Sequence, residues 1–336
     1  MAGAVRIALD AMGTDLAPGP EVAGAIEALR AYDGDDVEIV LVGDEALVRA
    51  ELAKHDDLPP GITVLHAPDR VVASDSPAAV IRRKPESSIV VGLRLHKAGE
   101  ADAFVSAGST GAVMASSLFT LRPLPGVDRP PVGAMLPTAK QLCLLVDAGA
   151  NIECKPEHLV QFAHLGTVYA RDAMGREKPR VGLLNIGEEP GKGDEVAVET
   201  HERLQADPGI HFIGNIEGRD IVRGDCDVIV CDGFVGNVLL KFYEPVAGYI
   251  VDLLRAELDK VPDAKVDLDH VFRVLDYAEY GGAPLLGLNG VSIICHGGSP
   301  PKAIHNALAV AARAVRSGLV RHSEEGLRIP PEGGTP

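Results

Sequence analysis

The residues that could do chemistry lie in short polar or glycine-rich runs, each placed directly after an apolar, β-rich stretch. Asp10-Ala-Met-Gly13-Thr-Asp15 follows Val5 to Leu9, and Ser106-Ala-Gly108-Ser109-Thr110-Gly111 follows Ala103 to Val105. Asp147-Ala-Gly-Ala-Asn151, Asn185-Ile-Gly-Glu188-Glu189 and Asp232-Gly-Phe-Val-Gly-Asn237 follow three more. In open α/β sheets, ligands bind beyond the carboxyl ends of the strands, so these are the places where a site would form. Ser106 to Gly111 suits an anion. Its glycines allow a tight turn, Ser109 and Thr110 offer hydroxyls, and a helix begun at Gly111 points free N–H groups outward. The same run also reads as a capped helix without a ligand. His296-Gly-Gly-Ser299-Pro-Pro-Lys302 is a second strand-to-helix turn in which Lys302 could supply a point charge. In Gly191-Lys192-Gly193, Lys192 could neutralise a phosphate or a developing oxyanion, or pair on the surface with Glu188 or Glu189. Asn237 is open to a capping and a functional reading. These motifs amount to an anion-binding α/β enzyme.

Familiar catalytic machinery is absent from the sequence. There is no GxSxG elbow, Walker A run or HExxH, and no GxGxxG follows the first strand pattern. The eleven histidines are scattered, so no metal is expected and no cofactor is assigned. The five cysteines form no CxxC pair and lie in or beside apolar runs, as buried reduced thiols do. Cys231, beside Asp232, has no basic neighbour in sequence that would lower its pKa.

Alternating β-rich and helical patterns must position these runs. Strands are expected at Val5–Leu9, Val37–Val42, Ile62–His66, Ala103–Val105, Leu142–Asp147, Val181–Asn185, His211–Ile213, Val228–Cys231 and Val291–Cys295. Helices are expected at Glu21–Ala31, Glu45–Lys54, Gly111–Leu121, Pro156–Met174, Glu195–Gln205, Val238–Leu258 and Lys302–Ser317. This is the order of βαβ units, and therefore an α/β fold with a mostly parallel sheet. No linker divides the chain. Residues 1–322 read as one unit, with room for two lobes but no boundary visible in composition, and residues 323–336 read as a flexible tail. The net charge of −16, with no basic stripe, argues against nucleic acid. The sequence has no signal-peptide pattern and no apolar run of membrane-spanning length, so a cytoplasmic location is expected.

Together the runs IALDAMG, DSPAAVIRRKPESSI, DAFVSAGSTGAVMA, LVDAGANIECKPEHLVQFA, RVGLLNIGEEPGKGDE, FIGNIEGRDI, DVIVCDGFVGNVLLK and LDYAEYGGAPLLGLNGV resemble the PlsX phosphate acyltransferases, in the same order, over roughly residues 5–316. The resemblance implies a Rossmann-like layered fold of the isocitrate and isopropylmalate dehydrogenase type, shared with phosphotransacetylase. It implies a homodimer that moves an acyl group from acyl carrier protein to inorganic phosphate without metal or nucleotide. The acyl phosphate would pass to a membrane glycerol-3-phosphate acyltransferase, with the enzyme peripheral at the inner face of the membrane. The family's lysine and asparagine fall on Lys192 and Asn237, as catalytic residues. Phosphate or substrate contacts would come from Asp10, Gly13, Ser106, Gly108, Ser109, Thr110, Gly111, Asp147, Asn151, Asn185, Glu188, Asp232, His296, Ser299 and Lys302.

Four segments depart from the family pattern. Thr14 and Leu16 stand where Gly and His are usual, Ser109 replaces Asn, and Pro300-Pro301 replaces Asn or Asp followed by Ala. The stretch from Leu258 to Leu275 is short and acidic where the family has a longer apolar, lysine-rich segment for membrane and carrier contact. Carrier docking would then fall to Arg273 and to Arg82-Arg83-Lys84, the latter also readable as a solvated helix end. A paralogue using another thioester or carrier, a nicotinamide-dependent dehydrogenase of the same fold, and a silent binding protein stay open as alternatives.

Overall fold

The computed structural model describes residues 3–32, 36–72, 74–258, 260 and 277–327. The acidic stretch after Leu258, with Lys265 and Arg273, lies outside them apart from Lys260. In chain order the elements are β1 (Val5–Asp10), α1 (Gly19–Ala31), β2 (Val37–Gly43), α2 (Glu45–Leu52), β3 (Ile62–His66), α3 (Pro77–Arg83), α4 (Ser88–Lys97), β4 (Ala103–Ser106), α5 (Thr110–Leu121), β5 (Gly133–Pro137) and β6 (Leu142–Val146). There follow α6 (Pro156–Asp172), β7 (Arg180–Leu184), α7 (Glu195–Ala206), β8 (His211–Ile216), α8 (Gly218–Ile221), β9 (Val228–Val230), α9 (Gly233–Leu258), β10 (Ala283–Pro284), β11 (Val291–Ile294), α10 (Pro301–Arg316) and α11 (Leu319–Leu327).

These strands form two sheets, ordered β10-β11-β4-β1-β2-β3 and β5-β6-β9-β7-β8. All neighbours are parallel except β10 with β11 and β5 with β6. Near-continuous Val, Ile and Leu runs are what a sheet covered on both faces requires. Alternate residues divide between two cores. Ile7, Ile39, Val105, Val146 and Val230 face one, with α1, α6 and α10 over them. Ala8, Val40, Phe104, Leu145 and Ile229 face the other, with α4, α5 and partly buried side chains of α9. Each core contains residues of both sheets, so the two lobes share their apolar interior. Close packing depends on small residues: a Cβ at Gly24 of α1 would come within 2.6 Å of Ile304 of α10.

The two antiparallel strands lie on the edges where the sheets meet. Val132 bridges to Leu285, and the Leu286 amide donates to the Pro131 carbonyl at 2.9 Å. Neither β5 nor β10 stands out in sequence, because Gly-Ala-Met-Leu-Pro and a two-residue strand carry too little β-rich pattern. α4, α8 and α11 likewise lie outside the expected helices. The expected boundary at residue 322 falls inside α11, which packs against α6 and whose Ser323 is buried.

α9 begins at Gly233, earlier than expected, because Asp232 caps it by accepting the Val235 amide at 2.7 Å. Asn237 is therefore inside the helix and is not its cap.

Candidate active site

Three turns of the first sheet are tied together at their carboxyl ends. Asp10, fully buried, accepts from the Ser106 hydroxyl at 2.6 Å and from the Met12 amide at 3.0 Å. Burial pushes its carboxyl up, and the Ser106 bond opposes this. Ser106 Oγ also accepts the Gly108 amide at 3.0 Å. Gly13 crosses this turn so closely that a Cβ would lie 2.7 Å from the Gly108 nitrogen, which explains the glycine. The Asp15 amide then donates to the Gly297 carbonyl at 2.8 Å, bringing in the turn after β11. Beneath them Thr14 donates through its amide and hydroxyl to the buried Glu21, at 2.6 and 3.0 Å. Burial raises Glu21 to about 7.

The N-terminus of α5 emerges from this knot. Ser109 occupies the cap position but makes no side-chain capping bond, and Thr110 is exposed. The first amides of the helix are left for solvent or an anion.

Several of the other expected contact residues have partners within the protein. Asp147 accepts from the amides of Val132, Gly149, Ala150 and Asn151 and from Asn151 Nδ2 at 2.6–3.1 Å, so both of its oxygens are occupied by its own turn and by the chain just before β5. Asn151 also donates to the Pro130 carbonyl and accepts the Gly233 amide through its own. Asp232 is the α9 cap. Lys302 pairs with Glu279 at 2.5 Å, and Glu188 with Arg219 at 2.8 Å. The buried Asp147 and Asn151 hold their turn in place, because a buried carboxylate or amide is drawn to the nearest backbone partners.

Asn185 shapes the loop of Lys192: its Nδ2 donates to the Lys192 carbonyl at 2.9 Å and its Oδ1 accepts the Ile186 amide at 2.8 Å. Lys192 is exposed and has no ion pair among the described residues, so the surface pairing with Glu188 or Glu189 is not formed. It does not line the cavity described next.

A cavity of about 260 Å³ lies where the two sheets meet. Thr110, Asn237, His296 and Ser299 are brought together on its wall from α5, α9 and the turn after β11. Met135, Leu136, Leu240, Ala247, Ile294 and Ala303 supply an apolar lining. Asn237 packs against Gly149, whose φ of +138° favours glycine and whose added Cβ would lie 3.2 Å from the Asn237 Cβ. The cavity also takes in Lys241, Glu244 and Tyr280, which are not among the residues expected from the sequence. Helical spacing from Asn237 by four and seven residues was the available signal for the first two. Cys295 lines it as well, but burial pushes its thiol up to about 12, and burial holds Cys231 well above the usual range. Neither is a ready thiolate nucleophile. Among the described residues no cluster of His, Cys, Asp or Glu could hold a metal ion.

The family described as "Fatty acid synthesis protein" matches residues 5–322. The chain belongs to that family. Among similar relatives in the family's neighbourhood, the phosphate acyltransferase of Desulforamulus reducens is 49% identical over 96% of this chain and 97% of its own. The phosphate acyltransferase of Pelotomaculum thermopropionicum is 47% identical over 98% of each. The architecture of the chain also matches solved phosphotransacetylases. The EutD phosphotransacetylase from Staphylococcus aureus gives a TM-score of 0.62 at 19% identity, covering 93% of this chain and 94% of that one. A phosphotransacetylase from Streptococcus pyogenes gives 0.64 at 17% identity, with the same coverage. At such identity the likeness establishes the Rossmann-like α/β fold.

Proposed function

We propose that the protein is a phosphate acyltransferase that converts an acyl thioester and inorganic phosphate to acyl phosphate and free thiol. The observation that carries this is the cavity itself, whose apolar wall suits an acyl chain and whose polar members Thr110, Asn237, His296 and Ser299 come from the first turns of α5 and α9 and from the turn after β11. The names of its near-full-length relatives support the same activity.

In this reading a phosphate oxygen attacks the thioester carbonyl carbon. The C–O bond forms, the carbonyl becomes a tetrahedral oxyanion, and its collapse breaks the C–S bond. The thiolate leaves and takes up a proton from water. No acyl-enzyme is needed, in keeping with the buried, protonated Cys231 and Cys295. Asn237 Nδ2 is a neutral donor for the oxyanion, and the exposed Lys192, without an ion pair, supplies an ammonium for the charge that develops there. Positioning does most of the work, because a thioester is an activated donor and phosphate a competent nucleophile.

The donor is acyl carrier protein, whose acidic surface would meet the exposed Arg82 and Arg83. Lys84 contributes less, since its ammonium is held by Asp75 at 2.6 Å and by the Arg70 carbonyl at 2.8 Å. A homodimer would cover exposed apolar residues of α9 such as Val238, Phe242 and Tyr249. No helix among the described residues is long and apolar enough to cross a membrane, so passage of acyl phosphate to a membrane glycerol-3-phosphate acyltransferase would take place by peripheral contact.

The test is hydroxylamine trapping of acyl phosphate, run with carrier-protein and coenzyme A thioesters of several chain lengths. Wild type should form acyl hydroxamate only when phosphate is present. Lys192→Ala should lower turnover by about a hundredfold or more with an unchanged melting temperature. A wild-type protein that forms no hydroxamate with any donor would overturn the activity.

A further inference from the structure

We infer that Lys241 is a phosphate-binding residue of the cavity, a role that rests on the acyl-transfer reading above. Lys241 closes the run DVIVCDGFVGNVLLK and sits one helical turn beyond Asn237 on α9, so both side chains fall on one helix face. Both line the cavity, together with Thr110 at the uncapped start of α5. Of the residues on its wall, Lys241 is the one lysine or arginine, and it forms no ion pair among the described residues.

The electrostatic need for such a group follows from the lining. Glu244, one turn further along α9, is the one carboxylate on the wall, and most of the remaining lining is apolar. A phosphate dianion entering there loses water on an apolar surface and approaches a like charge. Both effects oppose binding. The α5 amides and the Thr110 hydroxyl offer dipoles but no net charge. An ammonium on the same wall offsets the desolvation and screens Glu244, and its flexible four-carbon stem lets it follow the phosphate. Lys192 does not line the cavity, so it does not meet this need where the acyl chain is held. Lys241 fixes the nucleophile, which leaves Lys192 to act on the charge that develops during transfer.

The experiment is steady-state kinetics of wild type, Lys241→Ala, Lys241→Arg and Glu244→Gln in the trapping assay, with phosphate and acyl donor varied separately. Lys241→Ala should raise the KM for phosphate about tenfold or more and leave the donor KM within about twofold. Lys241→Arg should recover most of the loss, and Glu244→Gln should lower the phosphate KM. In parallel, inorganic phosphate alone should raise the melting temperature of wild type but not of Lys241→Ala, whose melting temperature without phosphate should match wild type. An unchanged phosphate KM in Lys241→Ala, or a rise confined to the donor KM, would overturn the inference. Absence of hydroxamate from wild type would instead overturn the activity reading, and the phosphate-dependent melting shift would still decide whether Lys241 binds phosphate.

Discussion

The Ser106 hydroxyl donates to Oδ2 of Asp10 at 2.6 Å, joining the end of β4 to the end of β1 under the turn that opens α5. Asp10 is fully buried, and the same hydroxyl oxygen receives the Gly108 amide. One small side chain thus joins the Met12 amide in satisfying a buried carboxylate and sets the path of the glycine turn. Ser106→Ala should destabilise the protein by about 1–3 kcal/mol in urea unfolding. It should also lower acyl phosphate formation, because Gly108 loses its anchor. An unchanged unfolding midpoint would show that the Asp10 contact contributes nothing.

Gly236 faces the Asp147 carbonyl so closely that a Cβ would lie 1.9 Å from the oxygen. Asp147 cannot retreat, since its carboxylate is held by four donors of its own turn and by the Val132 amide. Gly236→Ala should therefore cost about 3 kcal/mol or more, seen as a lower melting temperature or loss of soluble protein. Gly191→Ala, where nothing lies within 4 Å of an added Cβ, should be close to neutral.

Glu21 makes stability fall with rising pH. Burial raises its pKa from 4.5 to about 7, with the charge of Asp10 adding to the shift, so the folded protein keeps a proton that the unfolded chain releases. The stabilisation from the protonated carboxyl is complete below about 4.5, declines as pH rises, and is gone above about 7. By linkage the loss amounts to about 3 kcal/mol. Glu21→Gln, which can still accept the Thr14 amide and donate to its hydroxyl, should flatten this part of the melting-temperature profile between about pH 5 and pH 8. A variant profile as steep as that of wild type would assign the slope to another group.

Ala247 is a buried residue of α9 on the apolar wall of the cavity. Ala247→Phe should fill part of the 260 Å³ and shift preference toward shorter acyl chains, lowering kcat/KM for long donors about tenfold relative to short ones. Equal losses for every chain length would place the acyl chain elsewhere.

The strand-end runs were legible in the sequence because a parallel sheet buried on both faces must alternate apolar strands with polar turns. That order was enough to indicate the α/β fold, and the runs from IALDAMG to LDYAEYGGAPLLGLNGV carried the family. The sequence also pointed to Gly13, Ser106 and the start of α5, since local turn and helix chemistry is written in adjacent residues. What each carboxylate does was decided by the tertiary structure. Asp147 looks like a ligand contact in sequence, and only the fold shows that it also takes the Val132 amide from the chain before β5. Lys302 looks like a phosphate cation and is held by Glu279, from a turn that no local pattern links to it. The cavity was invisible for the same reason. It forms where the short edge strands β5 and β10 bring the two sheets together, setting Thr110, Asn237 and His296 around one space. Periodicity records which face of an element is buried, whereas the partner it meets is fixed only by packing of the whole chain.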